Sequence, residues 1–171
     1  TIQNTQVSSR GESPMYGTCG HIKELISNET GLSFDELKYQ LVTCNNCYGG
    51  TSIAELSKGG TTYSFENALI QVAKAKELSS YLKSSFSFQA VTWTQGERDV
   101  VIGTTKDDYY SSLLQLVNDY NVDGKAITGQ PNNVQFITYQ TCRDLGQSTV
   151  AQAQFDASIY SPIIHLATPI Y

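Results

Sequence analysis

Apolar and polar positions alternate between two periods along this chain, and that change of period marks out the elements. Ile22, Leu25, Ile26 and Glu29 recur at helical spacing, so residues 15–30 read as a helix that ends before Gly31. Residues 37–43 (LKYQLVT) read as a strand running into the loop Cys44-Asn45-Asn46-Cys47-Tyr48-Gly49-Gly50. Ser64 stands where a helix cap is expected, ahead of Phe65, Leu69, Val72, Ala75, Leu78 and Leu82 on one helical face. The run Phe86, Phe88, Ala90, Val91, Trp93 is short and not amphipathic, as in a buried central strand of a parallel sheet. Thr105, with Asp108 three residues on, opens the next helix, whose buried face is expected from Tyr110, Leu113, Leu114, Val117 and Tyr120. Turns are expected at 121–124 and 129–133, strands at 134–139 and 163–167, and a Gln-rich helix at 147–159.

Strands alternating with helices predict a doubly wound α/β layer, with right-handed crossovers and chemistry just beyond the carboxyl ends of the strands. A length of 171 residues suits one domain, taken as 1–171, with a sizeable core. No internal repeat or low-complexity tract is visible.

The net charge of −5 argues against a nucleic-acid partner, because that affinity rests on Lys and Arg neutralising phosphates. No apolar run approaches the ~18 residues needed to span a bilayer. The eleven tyrosines favour polar and sugar-binding surfaces. The start, Thr1-Ile-Gln-Asn, is neither a signal peptide nor an initiator, so the chain is expected to be an excerpt or a processed product.

The four cysteines leave the redox compartment open. Cys44 and Cys47 have C-x-x-C spacing, which suits free thiols in a loop, a redox pair or half of a zinc site. A zinc site would need a second ligand pair from Cys19, Cys142, His21 and His165, which are unpaired in sequence. His21 is expected on a helix surface, and His165, inside an apolar run, as a buried strand residue.

The polar chemistry concentrates in Thr94-Gln95-Gly96-Glu97-Arg98-Asp99, directly after the Phe86 run. Gln95 can donate and accept, an ionised Glu97 only accepts, and Gly96 lets backbone approach a ligand closely. Gly49-Gly50-Thr51-Ser52-Ile53, followed by Trp93-x-Gln95-Gly96-Glu97-x-Asp99, resembles the SGNH (GDSL-type) hydrolases. The similarity is to their sialate O-acetylesterase-like branch, which includes carbohydrate deacetylases and phage-tailspike esterase domains, and it covers about Glu12 to Tyr171.

This resemblance implies a three-layer α/β/α sandwich with a mainly parallel, flavodoxin-like sheet, incomplete at both ends. It also implies a cofactor-free serine esterase that removes acetyl groups from a surface or host glycan. Gly50 and Gln95 match the oxyanion-hole positions, and Glu97 matches a site-supporting carboxylate. Thr51, Arg98 and Arg143 are candidate substrate contacts, although Arg98 stands where a small residue is usual and Arg143 could equally pair with Asp144. Gly11-Glu12-Ser13 invites comparison with the nucleophile block, but no strand precedes it, so a turn residue before Pro14 is expected. The nucleophile block and the Asp-x-x-His block are expected in companion segments, or the domain in an oligomer, a trimer if it is a tailspike. An extracellular or virion-associated location follows from the same resemblance. The rival readings are a non-catalytic glycan-binding or structural virion module and a dithiol redox protein.

Overall fold

The computed structural model describes residues 14–37, 39–142 and 148–169, which fall into two compact units divided after Thr43. In the first, helix α1 (Pro14–Thr30) ends as expected at Gly31, whose φ of 70° suits the left-handed turn after a helix. It is followed by one helical turn, α2 (Phe34–Leu37). His21 is exposed on α1, 3.5 Å from Glu24. The strand expected over 37–43 is not found among the described residues. Leu37 closes α2, and residues 39–43 are irregular and exposed, Val42 included. Their apolar residues have neither a ladder partner nor a covering layer among the described residues, and a strand needs both.

The second unit runs through α3 (Ile53–Leu56), α4 (Ser64–Tyr81), β1 (Ala90–Trp93), α5 (Glu97–Ile102), α6 (Lys106–Thr128), β2 (Gln135–Gln140), α7 (Thr149–Tyr160) and β3 (Ile164–Pro169). The strands pair in the order β1-β2-β3, all parallel, with Trp93 opposite Thr138 and Phe136 opposite Ile164. The expected α/β class is thus found. β2, not β1, is the central described strand, and β1 lies at the edge of the described sheet with Ala90 and Thr92 exposed.

β1 starts later than the apolar run suggests. The Gln130 side chain accepts from the Phe88 N–H at 2.7 Å and donates to the Phe88 carbonyl at 3.0 Å, taking the place of ladder bonds. The expected turn at 121–124 is instead part of α6. Asn121 is a helix residue whose side chain reaches the residue just before β2: it accepts from the Val134 N–H at 2.9 Å and donates to the Val134 carbonyl at 3.1 Å. Gly124 lies within the helix, where a Cβ would stand 2.9 Å from the Phe88 ring, so the close packing there requires glycine.

Ser64 is the first residue of α4 and not its cap. Tyr63 takes the cap position with φ 54°. Thr105 caps α6 as expected, accepting from the Asp108 N–H at 3.2 Å.

The core gathers Phe65 from α4, Tyr109, Leu113, Leu116, Val117 and Tyr120 from α6, Trp93 and Phe136 from the sheet, and Val150 and Ala153 from α7. Tyr109 rather than Tyr110 is the fully buried member of its pair. Tyr120 lies 4.6 Å from Phe65 and 6.4 Å from Phe136 between ring centroids, so one aromatic run joins α4, α6 and β2. Among the described residues no helix is long and apolar enough to cross a membrane.

Phe136, at the sheet end of this run, is 1 % exposed. Phe136→Ala should cost about 3–5 kcal/mol, read as a lowered denaturant midpoint. A loss below about 1 kcal/mol would contradict this packing.

Candidate active site

β1 ends at Trp93, and the chain then bends sharply. Gly96, with φ 147°, caps the short helix α5. A Cβ at this position would meet Gln154 Nε2 and Thr141 at 3.1 Å, so the glycine serves both the backbone angle and the close approach. The bend turns Gln95 inward, where it is 5 % exposed, and leaves Glu97 and Arg98 outward.

Asp99, 1 % exposed, is the hub of the turn. It accepts from the Ile53 N–H at 2.8 Å, from the Thr104 hydroxyl at 2.9 Å and from Gln95 Nε2. Three donors on one buried carboxylate make these strong, charge-assisted bonds. Gln95 Nε2 also donates to the Thr51 carbonyl at 3.0 Å. Gln95 and Asp99 together therefore fasten the Gly49-Gly50-Thr51-Ser52-Ile53 loop to the Gln-Gly-Glu turn.

The loop has its own supports. The Thr51 hydroxyl donates to the Tyr48 carbonyl at 2.7 Å, and Gly50 adopts φ 75°. At the start of α3, the Glu55 carboxylate accepts from the Ser52 N–H and hydroxyl at 2.8 and 2.7 Å. Those bonds, backbone first, and then the charge of Arg98 hold the Glu55 carboxyl below its ordinary pKa.

Between loop and turn lies a cleft of about 340 Å³, lined by Tyr48, Gly49, Gly50, Thr51 and by Thr94, Gln95, Glu97, Arg98 and Val101. Five of the six candidate site residues meet there: Gly50, Thr51, Gln95, Glu97 and Arg98. Arg143, the sixth, lies outside the described residues, as do Asp144 and Ser13. Glu97 accepts from the Tyr139 hydroxyl and, at 3.4 Å, from the Thr141 hydroxyl, so it is tied to the end of β2.

His165 departs from expectation. It is exposed on β3, with Nε2 2.8 Å from Gln135 Oε1, because alternate residues of a strand face opposite sides and Ile164 takes the core side. Cys44 and Cys47 are free thiols reaching solvent, yet partial burial raises both above the ordinary thiol pKa. That shift is opposite to the lowered pKa of a redox pair.

The family model for carbohydrate esterases, sialic acid-specific acetylesterase, matches residues 28–159, which include the loop, the turn and the cleft between them. The chain belongs to this family. No curated protein and no solved structure matches it.

In this family member, several residues that build the site lie outside its two motifs. Tyr109 and Gln154, each 0 % exposed, lie behind Gln95. The Tyr109 hydroxyl donates to Gln95 Oε1 at 2.8 Å, and Gln154 Nε2 donates to the Gln95 carbonyl at 2.7 Å. Burial pushes the Tyr109 phenol far up, so it stays protonated and keeps donating at neutral pH. The available signal was Gln154 itself, a polar residue on the helix face that carries Val150, Ala151, Ala153 and Ala157.

Gly96→Ala should destabilise the chain by about 1–3 kcal/mol, because the methyl group meets both a forbidden backbone angle and two fixed neighbours. Equilibrium denaturation measures it. An unchanged midpoint would contradict the geometry of the turn.

Proposed function

We propose that the cleft between the Gly49–Ile53 loop and the Gln-Gly-Glu turn is the oxyanion side of a serine O-acetylesterase that deacetylates a surface or host glycan. One observation carries this reading: Gln95 is buried with its amide nitrogen turned to the cleft wall, bonded to the Thr51 carbonyl beside Gly50.

Ester hydrolysis by this route begins with a serine Oγ attacking the acetyl carbonyl, which becomes a tetrahedral oxyanion. Collapse expels the sugar hydroxyl, and water then releases acetate from the acyl-serine. Gly50 supplies a backbone N–H to the oxyanion. Gln95 supplies Nε2–H by turning one hydrogen from the Thr51 carbonyl to the substrate, while its bond to Asp99 holds the amide in place. Glu97, which can only accept when ionised, braces the turn through Tyr139 and Thr141 and takes hydrogen bonds from sugar hydroxyls. Thr51 and Arg98 contact the glycan at the rim. The serine and its histidine base come from a companion segment or a partner chain. Outside a membrane, on a cell or virion surface, such a site meets its glycan directly.

A second reading, a non-catalytic glycan-binding module, is favoured by one feature. Both Gln95 amide hydrogens are already engaged, with Thr51 and with Asp99.

Acetate release from O-acetylated glycans by the complete natural polypeptide separates the two. Gln95→Ala should lower kcat roughly 100-fold with little change in KM, as for loss of one oxyanion donor. Full activity in that variant would contradict Gln95's role. Glycan binding with no acetate released would establish the second reading.

A further inference from the structure

Behind the cleft, two groups that can only donate determine the direction of a buried hydrogen-bond chain. The Thr141 backbone N–H points at Gln154 at 2.8 Å, so that atom must be the carbonyl oxygen Oε1. Gln154 Nε2 must then be the donor to the Gln95 carbonyl at 2.7 Å and to the Tyr109 hydroxyl at 3.2 Å. The Trp93 indole N–H also donates to that hydroxyl, at 3.3 Å. With two donors arriving, the single Tyr109 proton is left to leave toward Gln95, whose Oε1 is 2.8 Å away.

Gln95 is thereby oriented from both ends. Its oxygen receives Tyr109, and its nitrogen faces the Thr51 carbonyl and the Asp99 carboxylate. The reversed amide would set oxygen against two oxygens on one side and an NH₂ against a donating hydroxyl on the other. A bond accepted at Oε1 also polarises the amide and strengthens donation from Nε2.

We propose that Tyr109 is a positioning residue for the esterase reaction, holding the Gln95 amide nitrogen toward the cleft. The inference rests on the proposed oxyanion role of Gln95 and identifies what keeps that donor aimed when its bond to Thr51 is exchanged for one to substrate. Tyr109 touches no substrate, because it is fully buried.

Tyr109→Phe retains the ring and removes only the hydroxyl. In the complete natural polypeptide, with 4-nitrophenyl acetate as probe, kcat should fall about tenfold and KM should hold, as expected when a reacting group is slightly misplaced. In the Gln95→Ala background the same change should cost nothing further, because its effect passes through Gln95. An equal loss in both backgrounds would mark a purely structural role and overturn the proposal. If Gln95→Ala alone leaves kcat intact, the oxyanion reading has failed, and the side-chain NMR of Gln95 decides Tyr109 separately. Tyr109→Phe must move the Gln95 Nε2 resonances, and unmoved resonances refute positioning. Should that variant not fold, the unmodified chain serves. Its Tyr109 hydroxyl proton should exchange slowly with water and show cross-relaxation to Gln95, and a freely exchanging proton contradicts the proposal.

Discussion

The structure around the cleft depends on one buried carboxylate. Asp99 collects the Gln95 amide and the Thr104 hydroxyl from either end of α5 and the Ile53 N–H from a distant stretch of chain. Removing a carboxylate from water is costly unless its oxygens are fully engaged, and here the donors are backbone and short side chains held by neighbouring helices. The loop at 49–53 and the turn at 95–97 can close on each other only with that charge satisfied. The cleft is therefore a consequence of where Asp99 sits.

The network behind Gln95 extends the same constraint into the core. Trp93, Tyr109 and Gln154 each place a polar atom where an all-apolar core would have none, and each finds a partner there. A buried polar network with every donor engaged specifies one arrangement, because any alternative leaves a donor or acceptor dry and unpaired. β1, α6 and α7 are thus held in register by directional bonds as well as by the packing of Val150, Ala153 and Phe136. The rim of the cleft stands on this fixed base, with Tyr48, Glu97 and Arg98 facing solvent.

Much of this was legible in the sequence, for physical reasons. The apolar run ending in Gln95-Gly96-Glu97 correctly located a strand end with a polar bend, and Thr105 with Asp108 correctly marked a helix start. The resemblance to the family lay in Gly49-Gly50-Thr51 and Trp93-x-Gln95-Gly96-Glu97, both inside the stretch that the family model matches. What local pattern hid was decided by tertiary partners. Asn121 and Gly124 look like a turn, yet Val134, just before β2, occupies the side chain of one, and the Phe88 ring fills the space beside the other. Residues 37–43 have strand composition, but 39–43 have no ladder among the described residues. Tyr109 and Tyr110 are adjacent and alike, and only the packing of α6 says which is buried. Asp99 stood in the motif, but its role depends on Ile53, which only the fold brings near.

The central claim is that this cleft, held by Asp99 and Gln95, is where an acetyl oxygen is received. It is tested most directly by titrating the isotopically labelled chain with an O-acetylated sugar and following amide and side-chain resonances. The account predicts saturable shifts at the Gly50 N–H and Gln95 Nε2, with smaller ones at Thr51, Glu97 and Arg98. Shifts confined to other surfaces, with Gly50 and Gln95 unmoved at saturation, would contradict it.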